Sequence, residues 1–358
     1  MVELTRQEQF AGTKEVDPKH RLDEKALLAY MQTHVEGFQG PLHIEEFKGG
    51  QSNPTYKLNT PRASYVLRRK PPGILLKSAH AVDREYKVIS ALNKVDIPVP
   101  RTFCLCEDES IIGTMFYIME CVEGRVFWEP LVPGVSKEDR SKIFDSQVNF
   151  MANLHKVDYQ AIGLGDFGSP GNYFMRQISR WTKQYQASVT EDIMEMNRLM
   201  EWLPKNIPVD DSVSLVHGDF RLDNAVVHPT EPRLIAVLDW ELSTIGHPLG
   251  DFTYHLMQWR SPDSDLGSTP ESELRALGIP TVNEYAARYC ELSGRKSIEN
   301  LDFYFAYNFF RLAAILQGIL GRVRDGTAAS EHALERASRV KPLSEQGWKY
   351  AQLAGAVA

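Results

Sequence analysis

The sequence His217-Gly218-Asp219 is followed by Asn224, five residues beyond the aspartate, and later by Asp239 in a Leu-Asp-Trp-Glu stretch after an apolar run. Transfer of a phosphoryl group from a nucleotide needs a carboxylate to take or orient the proton of the attacking hydroxyl. It also needs oxygen ligands that hold magnesium between the phosphates. Asp219 supplies the first, and Asn224 and Asp239 supply the second. The plainer reading is an Asx-turn of Asp219 and Asn224 with His217 capping a loop. Two further patterns are decoys. Gly163-Leu164-Gly165-Asp166-Phe167-Gly168 fits GxGxxG but follows a helix-like segment, whereas a dinucleotide site needs a strand before it and a helix after. His247, Asp251 and His255 have the four-residue spacing that aligns ligands on a helix, but Pro248 and Gly250 make His247 a loop residue preceding that helix.

The elements that must position these groups can be read from periodicity. Residues Leu22 to Val35 have helical spacing, ended by Gly37, Gly40 and Pro41. Strand-like runs follow at Leu42–Phe47, Thr55–Leu58 and Tyr65–Arg69, a helix at Ala81–Asn93, and strands at Arg101–Cys106 and Met115–Glu120. The order β-β-β-α-β-β gives an α+β class. After Glu120 helical patterns dominate, at Lys137–Val157, Tyr173–Trp202, Val282–Leu292 and Leu301–Val323. The acidic stretch Ser261–Glu273 reads as one mobile loop. Residues 1–120 are expected to form a small lobe, 121–124 a hinge, and 125–358 a helical lobe.

Composition narrows the function further. In 358 residues, 47 Asp and Glu against 40 Lys and Arg leave a net charge of −7, the wrong sign for a polyanion partner, so neither nucleic acid nor an anionic membrane is expected. The apolar run Phe303 to Gly321 is interrupted by Asn308, Arg311 and Gln317, and reads as a buried helix. The cysteines Cys104, Cys106, Cys121 and Cys290 form no CxxC pair, and the first ten residues carry charges where a signal peptide has its apolar core. A reduced, cytoplasmic protein is the expectation.

HGDFRLDN with a following aspartate resembles the aminoglycoside phosphotransferase and choline kinase group of protein-kinase-like enzymes, and the resemblance covers nearly the whole chain. It implies a two-lobed fold, with a small antiparallel-sheet lobe and a large, mainly helical one, an ATP donor with GTP left open, and Mg2+. It makes Asp219 the catalytic aspartate, gives His217 and Asp251 loop-bracing roles, and places Arg68 where such kinases usually carry lysine. An arginine can bridge phosphate oxygens with two parallel hydrogen bonds; an exposed edge-strand charge is the alternative, with Arg69 and Lys70 beside it. Glu85 matches the helix glutamate that pairs with that cation, or is a plain surface residue. The loop Gly49, Gly50, Gln51, Ser52 and Asn53 lies where backbone amides fold over phosphates, or is a simple hairpin turn. In Phe-Tyr-Ile-Met-Glu-Cys-Val-Glu-Gly, the backbones of Glu120 and Val122 match the adenine-binding hinge.

YVLRRKPPG, HGDFRLDN and LDWE together look most like the kinase-like domains that occur alone in bacteria or fused to acyl-CoA dehydrogenase domains. This implies a small-molecule hydroxyl acceptor such as a hydroxyacyl-CoA or hydroxy acid. The alternatives are an aminoglycoside- or choline-type kinase, a catalytically silent nucleotide-binding scaffold, and a metal-dependent phosphohydrolase. Arg260, Tyr307 and Arg311 are candidates for the acceptor site, the arginines being equally suited to structural ion pairs. The rings of Leu301–Leu320 offer a groove for an acyl chain, or are core. The sequence leaves the oligomeric state open.

Overall fold

The structure, a computed structural model, describes residues 5–49, 53–71, 81–324 and 338–357. The first part is a six-stranded antiparallel sheet built from β1 (Thr13–Lys14), β2 (His43–Phe47), β3 (Thr55–Asn59), β4 (Ser64–Arg69), β5 (Thr102–Cys106) and β6 (Phe116–Glu120), in the order β1-β2-β3-β4-β6-β5. A short helix α1 (Arg6–Phe10) precedes it, and α2 (Glu24–His34) packs on one face. Along β3, Tyr56 and Leu58 alternate inward at the two-residue period of a strand and meet Leu27 and Met31 of α2 in the same core. The opposite face receives α3 (Val82–Leu92). Its buried stripe is Val82, Glu85, Val88, Ile89 and Leu92, so the helical period itself carries one acidic residue into an apolar interface.

The remaining chain is mainly helical: α4 (Lys137–Leu154), α5 (Tyr173–Ser188), α6 (Met194–Trp202), α7 (Pro248–Leu256), the short α8 (Asp265–Ser268) and α9 (Glu271–Leu277), α10 (Val282–Ser293), α11 (Leu301–Arg324) and α12 (Val340–Leu353). Between α6 and α7 stand two small antiparallel pairs, β7 (Ser214–Val216) with β10 (Thr244–Gly246) and β8 (Ala225–Val227) with β9 (Leu234–Val237). The arrangement is the expected α+β, kinase-like one.

Helix α11 is the axis of the helical part. It is long and apolar enough to cross a membrane, yet 78% of that stretch is buried inside the protein. Each of the three polar residues that interrupt it is spent on a neighbour. Asn308 donates to Gly250 O (3.2 Å) and Thr253 Oγ1 (2.8 Å), Arg311 to Gly218 O (2.7 Å) and Gln317 to Ser188 O (2.6 Å).

Two expectations are corrected. The helix foreseen over Tyr173–Trp202 is two helices, because Ser188 O at the end of α5 is taken by Gln317, and the close approach of Gly321 to Ser188 leaves the chain no room to run straight on. A Cβ on Gly321 would lie 2.6 Å from that of Ser188. Ser261–Glu273 is not one loop: it contains α8 and the start of α9, pinned by the buried side chains of Leu266 and Leu274.

Buried His255, on α7, carries a pH signature. Burial among the rings of Phe220, Trp259 and Tyr285 holds its pKa down at about 4, against an ordinary 6.5. A proton that the unfolded chain takes up below 6.5 is refused by the folded one until about pH 4. Stability is therefore full above 6.5 and falls by about 1.4 kcal/mol per pH unit between those values. Chemical denaturation from pH 7.5 to 5 should show this loss, with His247 adding to it in the same direction. His255→Gln should flatten the slope by about one proton's worth; an unchanged slope would contradict the assignment.

Candidate active site

The catalytic-loop candidate runs from the end of β7 into β8, and side chains hold its backbone. Gly218 has φ +86°, and a Cβ there would stand 2.5 Å from Leu242 O, so only glycine lets the loop turn. Asp251, on the first turn of α7, accepts from His217 N and Gly218 N (2.8 Å each) and lies 3.2 Å from His155 Nε2. Burial alone would raise the pKa of Asp251, but the His155 contact and the amides hold it below the usual carboxylate value. His217 Nδ1 accepts from Asp219 N (3.2 Å), which leaves Nε2–H to donate to Leu238 O (2.9 Å), one residue before Asp239. The histidine braces two loops and faces no cleft, being fully buried.

Asp219 is oriented from two sides. Its main-chain oxygen accepts from Asn224 Nδ2 at 2.9 Å. That bond fixes the Asn224 amide with its nitrogen on the protein and leaves its oxygen for a cation. The Asp219 carboxylate accepts from the Tyr254 hydroxyl through Oδ1 at 2.6 Å, while the Arg311 guanidinium lies 4.8 Å over the Tyr254 ring. Burial raises the pKa of Asp219; the neighbouring charge of Arg221 and the Tyr254 hydrogen bond pull it back.

Asp239 ends the next strand connection in a left-handed conformation, φ 65°, which aspartate tolerates better than most residues. Its Oδ1 is 2.5 Å from Arg68 Nη2. Arg68 Nε is 2.9 Å from Glu85 Oε2, and Glu241 Oε2 lies 3.8 Å from Nη2. The sheet order makes β4 an interior strand, so the edge-strand alternative for Arg68 falls, and Glu85 is buried, not a surface glutamate. Burial would lower the Arg68 pKa, but Glu85 and Asp239 more than offset it and keep the guanidinium charged. The two close carboxylates, Glu85 and Asp239, on one guanidinium leave one negative charge over. A hard divalent cation on oxygen ligands fits that excess, with the Asp239 carboxylate and the Asn224 amide oxygen as donors.

Arg68, Asn224 and Asp239 open onto a cleft of about 810 Å³ whose walls also include Val66, Val122 and Leu238. It has the size of a small-molecule site. Gly49 and Glu120 also line it. The Glu120 N–H is engaged with Arg101 O at 2.7 Å. Asn53 is fully buried and donates to Glu241 Oε2 (3.1 Å), which ties the β2–β3 connection to the Asp239 loop. Gly50, Gln51 and Ser52 lie outside the described residues.

The acceptor candidates are placed elsewhere. Tyr307 has no exposed surface and packs edge-on to Phe174. Arg311 is buried and holds the catalytic loop from beneath. Arg260 stands beside Asp302 and Tyr350; Asp302 is nine residues from Arg311, about 13 Å along α11. The rings of Phe303, Tyr304, Phe305, Phe309 and Phe310 are core and line no groove. His247 caps α7 through Leu249 N (3.2 Å), and His255 meets the Tyr285 hydroxyl (3.1 Å), so the helical histidines are structural. In the Gly163–Gly168 turn, Phe167 O accepts from Arg84 of α3 (2.8 Å). Sequence reasoning did not find Tyr254, although its three-residue spacing from Asp251 on one helix was a usable signal.

A model of the phosphotransferase enzyme family matches residues 43–296. The chain belongs to that family. Human acyl-CoA dehydrogenase family member 11 is 44% identical over 339 residues, which is 93% of this chain but only 44% of that protein. The chain thus spans less than half the length of this relative. A crystal structure from Ralstonia eutropha, of a protein provisionally assigned as an aminoglycoside phosphotransferase, is 52% identical. It matches with TM-score 0.85 over 93% of this chain and 99% of its own. The aminoglycoside phosphotransferase APH(4)-Ia, solved with AMP-PNP and hygromycin B, shares the fold at 15% identity and TM-score 0.61, over 94% of this chain and 99% of its own. The chain therefore has the kinase-like architecture throughout the matched region.

Two predictions follow from the geometry. Arg68→Ala should destabilise the phosphotransferase by about 3–5 kcal/mol in chemical denaturation, because it strands a buried Glu85 charge, and adding Glu85→Gln should recover most of it. A loss under about 1 kcal/mol would show that no such charge is buried. Tyr254→Phe should lower kcat about ten-fold, the worth of one hydrogen bond to a charged group, with the acceptor KM and the unfolding midpoint little changed. Unaltered kcat would remove Tyr254 from the positioning of Asp219.

Proposed function

We propose that the chain transfers the γ-phosphate of ATP, with Mg2+, to the hydroxyl of an anionic small molecule, a hydroxyacyl-CoA or hydroxy acid. Residues 1–120 would hold the nucleotide, 121–124 would form the hinge, and 125–358 would carry the catalytic loop and the acceptor. The observation that carries the transfer reading is that Arg68, Asn224 and Asp239 line one cleft, with Glu85 fixing Arg68 from behind and Asn224 bonded to the main-chain oxygen of Asp219. The second carboxylate oxygen of Asp219 would orient the acceptor hydroxyl, Oδ1 being held by Tyr254. Asn224 and Asp239 would hold Mg2+, which supplies charge neutralisation on the phosphates. Arg68 would contact phosphate from the cleft wall.

One fact speaks against a polycation as acceptor. The acidic stretch that a polyamine would want contributes no residue to the cleft wall, and its Asp263 is paired with Arg339 (3.0 Å). The acyl-CoA part of the proposal rests on the relatives. In the human relative, named an acyl-CoA dehydrogenase family member, the matched region makes up 44% of the protein's length.

Coupled ADP-release assays on a hydroxyacyl-CoA and hydroxy-acid panel, with choline and kanamycin as controls, test this. Turnover is expected on one of the acyl compounds and not on the controls, and Asp219→Asn should lower it at least about 10²-fold while AMP-PNP binding persists. Phosphorylation of kanamycin alone would overturn the acceptor. Nucleotide binding without ADP release on any compound would favour a silent scaffold.

A further inference from the structure

The family match begins at residue 43, yet the cleft is also walled by Gln7, Phe10, Gly12 and Thr13. These residues belong to a segment that crosses from the sheet edge to the stretch just after Val122. At one end β1 pairs with β2, Thr13 opposite Phe47 and Lys14 opposite Glu46, and Lys48 N donates to Gly12 O at 3.1 Å. At the other end the Gln7 side-chain amide closes a two-bond ring with extended backbone: Nε2 donates to Val126 O (2.9 Å) and Oε1 accepts from Trp128 N (3.0 Å). Phe10 packs on the Trp128 ring, centroids 5.0 Å apart. The same indole is met by Gly49, where a Cβ would stand 3.0 Å from it, so glycine is what lets the β2–β3 connection lie against Trp128. The short helix between the two ends is fixed by a capping box of Thr5 and Glu8. Trp128 is therefore clamped between the N-terminal segment and the connection that precedes Asn53.

We infer that residues 5–14 are a strap that closes the nucleotide cleft, with Gln7 and Phe10 as positioning residues that set nucleotide affinity by holding Trp128 against Gly49. The inference rests on the reading that a nucleotide occupies this cleft. Neither side chain reaches Asp219 or the metal-holding pair, so the strap governs retention of the nucleotide and leaves the transfer step alone. Its spacing from the family core explains why no motif announces it: a glutamine and a phenylalanine near an N-terminus signal nothing until a distant tryptophan is folded beneath them.

The test is titration calorimetry of AMP-PNP with magnesium on the full chain, beside steady-state kinetics. Gln7→Ala and Phe10→Ala should each raise Kd at least about five-fold, the scale of one or two lost neutral hydrogen bonds or a lost ring contact. KM for ATP should rise in parallel, with kcat at saturating ATP within about two-fold of wild type. Hydrogen exchange on the wild-type protein gives a reading free of mutation: nucleotide should slow exchange of the Trp128 and Lys48 amides. Wild-type affinity in both variants, or no slowing at those amides, would overturn the strap while leaving the cleft reading intact. Failure of the wild-type protein to bind AMP-PNP at all would overturn the cleft reading and the strap with it.

Discussion

A guanidinium that is only 7% exposed cannot be left unpaired, and the arrangement around Arg68 follows from that requirement. The residue sits on β4 in the middle of the sheet; Glu85 reaches it from α3 and Asp239 from the loop after β9. Three pieces of chain far apart in sequence are thereby fixed to one point, each by a charge that would be costly without the others. Glu85 accepts Trp240 N as well, at 3.1 Å, so the carboxylate that neutralises the arginine also holds the backbone next to Asp239. The excess negative charge left over is what suits the place to a divalent cation.

Beneath the catalytic loop the same logic works through bonds from side chains to the main chain. Helix α11 is an apolar core element with donors at 308, 311 and 317, each of which satisfies a main-chain oxygen that would otherwise be buried without a partner. Through Arg311 and the Tyr254 ring the helix reaches the carboxylate of Asp219. Asp251 fixes the two amides before it. The loop thus has little freedom on the protein side, and its freedom is reserved for the side facing the cleft. Electrostatic preorganisation of this kind is the main means by which phosphoryl transfer is catalysed.

The relatives place these features in a larger frame. The human relative devotes 44% of its length to the part resembling this chain. The Arg68–Glu85 pair, the catalytic loop and its Asp251 brace lie within the family span, whereas the N-terminal wall of the cleft, the Arg311 brace on α11 and α12 lie outside it.

The sequence alone was enough for the α+β class and for the strand and helix order from Leu22 to Glu120, though not for α1 and β1 before it, and it singled out His217, Asp219, Asn224 and Asp239 as candidates. These are local: they depend on period, turn residues and short spacing. It was also enough to place Glu85 on a helix and Arg68 on a strand, but not to show that they meet, because an ion pair between residues 17 apart is decided by how α3 packs on the sheet. The end of α5 was invisible for the same reason, since Val189 and Thr190 carry no strong stop signal and the carbonyl that ends the helix is taken by Gln317 from α11. Tyr307 and Arg311 were read as acceptor residues from type and proximity in sequence; burial and partner choice, which are properties of the packed molecule, put these two in the supporting structure, while Arg260 is half-buried beside Asp302. Tyr254, Trp128 and the N-terminal strap became functional candidates only when folding brought them to the cleft, because what a hydroxyl or an indole does depends on which distant group it is held against.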